Sequence, residues 1–218
     1  MSARSAPSWQ GIVRGLASLR RRWLLRHLAD PHFSFMFDPP PAAEWVALDC
    51  ETTGLDRRLD QIVSVGAVRI VGNRMLTSQR LELIVRPARA MAQASMRVHR
   101  LRERDVVAGL APEQAMRQLL EFIGSRPLVG YYLEFDVAMI NRAIWPMLGV
   151  ALPQPKIDIS ALYYDMKNRQ LPVHLRNGQI DLRFESIMRE LDLPRRDAHD
   201  ALNDAVMAGL AFLKLRHC

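Results

Sequence analysis

Between residues 45 and 87 the chain holds three apolar runs, and this block constrains the fold more than any other stretch. WVALD (45–49) reads as a buried strand, QIVSVGAVRIV (61–71) as a second, and SQRLELIVRP (78–87) as a third with alternating apolar positions. Gly72 and Asn73 supply a turn between the second and third, which predicts an antiparallel hairpin. Downstream the period lengthens. PEQAMRQLLEFIG (112–124) carries proline near its start and glycine at its end, as a helix does. PLVGYY (127–132) is a short strand, EFDVAMINRAI (134–144) a helix, PKIDIS (155–160) a fifth strand, and 182–191 and 200–215 are helices. Strands first, then helices alternating with strands, predict an α/β layered fold.

Composition narrows the class. The chain has 218 residues, 49% hydrophobic and 24% charged, enough for one sizeable soluble domain plus an extension. Its net charge is +7, and since only Lys156, Lys167 and Lys214 among the 30 basic residues are lysine, 27 are arginine. Guanidinium forks suit phosphate oxygens, so an anionic polymer is a natural partner. Two cysteines, Cys50 and Cys218, cannot build a disulfide framework and point to a reducing, cytoplasmic setting. No apolar run reaches the roughly 18 residues of a membrane span.

Residues 1–40 stand apart from a domain spanning 41–218. Arg4, Arg14, Arg20, Arg21, Arg22 and Arg26 against Asp30 and Asp38 give 6 − 2 = +4 of the +7. Trp9, Ile12, Leu16, Leu19 and Trp23 recur every three or four residues, the stripe of an amphipathic helix, and DPPPA (38–42) predicts an extended linker. Three readings fit this extension: a helix docked on its own domain or on a protein partner such as a polymerase, a basic helix on a membrane surface or nucleic acid, and a mitochondrial presequence, since residues 1–29 lack acids.

The acids supply the chemistry. Asp49 and Glu51, two apart at a strand end, project to one face while Cys50 turns to the core. Paired carboxylates repel and suit a divalent cation, although such a pair also fits a solvated strand end. Asp136 opens the helix after the fourth strand, where an acid also suits the helix dipole. Asp204 lies five residues after His199 in HDALND, among apolar Ala201, Leu202, Ala205 and Val206.

Together, DCETTGLD, EFD and HDALND resemble the three motifs of the DEDDh 3′-to-5′ exonucleases, a family that includes the epsilon proofreading subunit of bacterial DNA polymerase III. MRVHRL (96–101) is similar to the family's IHGI-type stretch, and the resemblance runs from about Glu44 to Leu215. It implies an RNase H-like fold with a five-stranded mixed sheet, second strand antiparallel, flanked by helices. It also implies that Asp49, Glu51, Asp136 and Asp204 bind two divalent metal ions, Mg2+ or Mn2+, with His199 as general base. Thr52, Thr53 and the backbone near Gly54 would meet the terminal sugar, Leu55 would wedge against the terminal base, and His99 would flank the strand. Thr52 to Gly54 also suit a plain turn.

Two departures bear on substrate. Where the family often shows HNA-x-FD, this chain has Tyr131, Tyr132 and Leu133 before EFD, and Arg100 replaces the usual glycine after His99. Tyr132 suits either a stacking surface for a base or core filling. ETTG is similar to DNA-directed members, so the resemblance implies single-stranded DNA 3′ ends as substrate, with RNA as the alternative and a noncatalytic tether using the basic helix as the reading from another class. Members serving a replicative polymerase commonly carry a further tail, whereas here the last helix closes near Cys218, which leaves a freestanding repair nuclease beside a proofreader.

Overall fold

The computed structural model describes residues 19–87, 106–172, 174, 176, 178–194 and 200–217. Five strands form one mixed sheet: β1 (Glu44–Thr52), β2 (Ile62–Val71), β3 (Arg74–Ile84), β4 (Leu128–Gly130) and β5 (Lys156–Asp158), in the order β3-β2-β1-β4-β5. β2 is antiparallel to β1 and β3, while β1, β4 and β5 run parallel. This is the mixed sheet with an antiparallel second strand that the family resemblance implied. Gly72 makes the β2–β3 turn with φ 57°, a left-handed backbone that glycine adopts without a Cβ penalty.

The helices are α1 (residues 19–27), α2 (Pro112–Ile123), α3 (Glu134–Leu148), α4 (Ile159–Gln170), α5 (Phe184–Glu190) and α6 (Ala201–Leu215), with a 3-10 turn at Pro31–Phe37. Strand parity sorts them into two layers. Val46, Leu48 and Cys50 of β1 face a core shared with α2, α3 and the 3-10 turn. Ala47 faces the opposite core, built with α4, α5 and α6. Asp49 and Glu51 share the parity of Ala47 and therefore continue its face toward α6.

α6 lies close on the sheet because small residues meet where it crosses. A Cβ on Gly66 of β2 would fall 2.2 Å from the Ala201 carbonyl carbon and the Leu202 nitrogen. A Cβ on Gly209 would lie 3.2 Å from the Ala47 Cβ. The first contact sets the N-terminal turn of α6 directly over β2, at the residue paired with Asp49.

Several expectations need revision. Leu19 and Trp23 of the apolar stripe are 62% and 58% exposed; α1 packs instead through Leu24 and Leu25, followed by buried Leu28, Phe33, Met36 and Phe37, on the core that also holds β1. Trp9, Ile12 and Leu16 lie outside the described residues. The expected strand 155–160 ends at Asp158, whose side chain accepts the Ser160 N–H at 2.8 Å and caps α4, a helix the sequence reading missed. α4 buries only Ile159, Ser160 and Tyr163, so it carries little of the apolar period that marks a helix. α3 runs past Ile144 through Pro146 to Leu148, ending on Gly149 at φ 66°. β1 continues beyond Asp49 to Thr52, β3 begins at Arg74, and β4 is three residues long.

Candidate active site

The C-terminal end of β1 gathers the acids. One carboxylate oxygen from each of Asp49, Glu51 and Asp204 lies within 4.8 Å of the others. The first two come from strand parity. Asp204 comes from the first turn of α6, which Asp200 caps by accepting the Asn203 N–H at 2.9 Å. Asp136 belongs to the other layer and is not in that closest group. From the first turn of α3 its Oδ1 accepts the backbone N–H of Cys50, the residue between Asp49 and Glu51, at 3.0 Å. Three of the four expected acids are thus brought together directly, and the fourth is tied to the backbone N–H of the residue between two of them.

The electrostatics follow from that crowding. Burial, then repulsion from Asp136, Asp204, Glu51 and Asp200, holds the Asp49 carboxyl well above the usual carboxylate range. Burial likewise pushes Asp136 up to about 7, against the lowering effect of the N–H groups of Cys50 and of its own backbone. A crowded cluster of hard oxygen donors fits a divalent cation.

The loop after β1 is a built turn. Thr52 Oγ1 donates to the Gly54 carbonyl at 2.6 Å, and Thr53 Oγ1 donates to Asp60 Oδ1 at 2.7 Å while accepting the Gln61 N–H at 3.0 Å. Gly54 sits so close to Asp60 that a Cβ would lie 2.6 Å from its Oδ2. Leu55, at the tip, is 85% exposed. Arg142 of α3 clamps the loop by donating to the carbonyls of Arg57 and Asp60. Tyr132 is half-exposed beside Tyr131, their ring centroids 4.5 Å apart. His199 and His99 lie outside the described residues. Sequence reasoning missed Asp60, Asp158, Asp200, Arg142 and Gly66, which hold the loop, the Tyr132 turn and the α6 end in place. Only Asp200, the acid directly before a helical period, carried a readable N-cap signal.

Comparison with known proteins bears on this geometry. The RNase_T family model, described as Exonuclease, matches residues 46–212, from β1 into α6. The chain is 27% identical over 172 residues to a DNA polymerase III PolC-type protein of Thermotoga maritima, covering 79% of this chain and 12% of that one. It is 22% identical over 171 residues to a DNA polymerase III subunit epsilon of Aquifex aeolicus, covering 78% and 79%. Among solved structures, E. coli exonuclease I in complex with a dA16 oligonucleotide shares the fold at a TM-score of 0.63 and 15% identity, over 79% of this chain and 40% of that chain. The chain therefore spans only a fraction of its PolC-type and exonuclease I matches. The shared sheet is the RNase H-like fold, and the match running from the Asp49 strand through the Asp204 helix makes this chain a member of the RNase_T exonuclease family.

Proposed function

We propose that the domain is a metal-dependent 3′-to-5′ exonuclease that acts on single-stranded DNA ends and releases 5′-mononucleotides. One observation supports this most: Asp49, Glu51 and Asp204, distant in sequence, place oxygens within 4.8 Å of one another beside buried Asp136. Such crowding is stable at neutral pH when positive charge lies among the acids. Divalent ions bound there would supply Lewis acidity for in-line displacement at the terminal phosphodiester. Asp49, Glu51, Asp204 and Asp136 are the residues that would hold them. His199, which precedes Asp200 in the sequence, would take the proton of the attacking water on a ring nitrogen as the water oxygen bonds to phosphorus and the phosphorus–3′-oxygen bond breaks. The turn of Thr52, Thr53 and Gly54, with Leu55 at its tip, would receive the terminal nucleotide. The names of the relatives, DNA polymerase III subunits and exonuclease I bound to dA16 or dT13, favour a DNA single strand.

The test is digestion of a 5′-labelled oligonucleotide with Mg2+, Mn2+ or chelator. The expected result is a ladder shortening one nucleotide at a time, abolished by chelator and by Asp49→Ala. Digestion that survives Asp49→Ala refutes the assignment. Digestion of a short RNA at the same rate as DNA would move the substrate to RNA, and an inert parent protein would favour the tether reading.

A further inference from the structure

Tyr132 holds a conformation that its side chain resists. Its φ is 48°, in the left-handed region where a bulky residue is an outlier. The neighbourhood enforces it: the Tyr132 carbonyl accepts the Phe135 N–H at 3.0 Å, and the next N–H, of Leu133, donates to Asp158 Oδ2 at 2.9 Å. Asparagine, the common residue here in the family this chain resembles, tolerates that backbone well. A tyrosine does not, and the residue stays 52% exposed despite its contact with Tyr131. Packing therefore does not explain the residue, and strain of this kind concentrates at functional sites.

The exposed ring borders a cavity of about 470 Å³. Phe135, the residue before Asp136, lines it with Arg57, whose guanidinium carbon stands 5.7 Å from the Phe135 ring centroid. Glu134, Asp158 and Ser160 complete the polar part of the lining. Two carboxylates against one guanidinium make the cavity a poor host for a phosphate. Flat aromatic faces with oxygen acceptors suit a neutral planar ring bearing amino or imino N–H groups. Behind Tyr132, Tyr131 is braced by its hydroxyl donating to the Leu182 carbonyl at 2.8 Å and by the Phe184 ring, with centroids 4.7 Å apart. The exposed ring thus has a rigid backing.

We infer that Tyr132, with Phe135 and Arg57, forms a stacking subsite for one unpaired nucleobase of the strand whose end reaches the acid cluster. The inference rests on the nuclease reading for its ligand, and it makes single-strandedness a property the site selects, because a paired base has no free face to stack. Stacking on one aromatic side chain strengthens binding roughly 5- to 100-fold.

The test uses the full chain and fluorescence anisotropy with a labelled dA oligonucleotide in Ca2+, so binding is read without turnover, together with melting temperature. Tyr132→Asn should melt at or above the parent, because the backbone strain is relieved, and bind at least about 5-fold more weakly. Tyr132→Phe should bind like the parent. Abasic substitution at each of the last four positions of the oligonucleotide should find one position that weakens the parent and leaves Tyr132→Asn unchanged. A Tyr132→Asn variant binding within two-fold of the parent overturns the subsite, as does an equal response of both proteins to every abasic position. A parent that binds but never hydrolyses would defeat the nuclease reading alone, and a parent that hydrolyses with no Tyr132 effect would defeat the subsite alone.

Discussion

Replacing Gly66 by alanine tests whether the closeness of α6 to β2 is what assembles the acids. The added Cβ would lie 2.2 Å from the Ala201 carbonyl carbon and the Leu202 nitrogen, where ordinary contact begins at 3.4 Å. Both are backbone atoms, so no side chain can swing aside. The start of α6 must retreat by about 1.2 Å, the difference between those distances. Asp204 lies in that same first turn and moves with it, away from Asp49 and Glu51. Magnesium demands oxygens near 2.0–2.1 Å in octahedral geometry, and a shift of about 1 Å in a catalytic group costs on the order of 100-fold in rate. We therefore expect Gly66→Ala to lower kcat/KM on a labelled single strand about 100-fold and to raise the metal concentration for half-maximal activity. Overpacking of this kind should also cost about 1–3 kcal/mol, a fall in Tm of about 2–12 °C. Gly209→Ala is the control. Its Cβ would meet the flexible end of Met75 at 2.6 Å, and Gly209 lies in the same helix as Asp204 but about one and a half turns further on. It should lower Tm while leaving the metal dependence unchanged. Direct titration of Mn2+ by electron paramagnetic resonance reads the site without turnover. Manganese affinity and activity of Gly66→Ala both within two-fold of the parent would refute the reasoning.

Two further outcomes follow from the site's charges. Asp136 is raised to about 7 from 3.8, so the folded state binds its proton more tightly than the unfolded chain does. Its contribution is fully present below the unfolded pKa and is lost as pH rises to about 7. In chelator, Tm should fall between pH 4 and pH 7, Asp136→Asn should flatten that slope, and Mg2+ should raise Tm more at pH 8 than at pH 5; a metal-induced shift independent of pH would contradict this. His199→Ala should lower kcat about 100-fold or more with little change in KM, measured by steady-state digestion; a rate within a few-fold of the parent would remove the base from His199.

What the sequence disclosed about this fold is what a period can disclose. The period of two in β1 put Val46, Leu48 and Cys50 on one face and Asp49 with Glu51 on the other, and the layers adopt that division. Period says which residues are apolar and which side they share, but not which neighbour arrives. The Leu19 and Trp23 stripe was legible as a stripe, yet α1 docks by Leu24 and Leu25, because the surface it meets is made by elements far along the chain. The same limit hid Gly66, whose significance depends on the α6 backbone 135 residues later, and Asp158, whose carboxylate fixes a turn 25 residues earlier. Motif spacing named the four acids but gave no hint that Asp136 would stand in the opposite layer from Asp204.

That last arrangement has an energetic consequence. Asp49 and Glu51 sit at the end of β1, between antiparallel β2 and parallel β4. Asp204 is delivered by the layer that α6 packs over Ala47, and Asp136 by the layer that α3 packs with Leu48 and Cys50. Neither layer alone can assemble the set. Repulsion among the acids therefore acts on the contact of both layers with β1, and the apolar packing of both faces must exceed it. A cation bound among the acids would reverse the sign, and metal affinity would then hold the two layers onto one strand. Core substitutions on either face, remote from any ligand, should accordingly weaken metal binding measured by Mn2+ titration, whereas substitution of the exposed Leu19 or Trp23 of α1 should not.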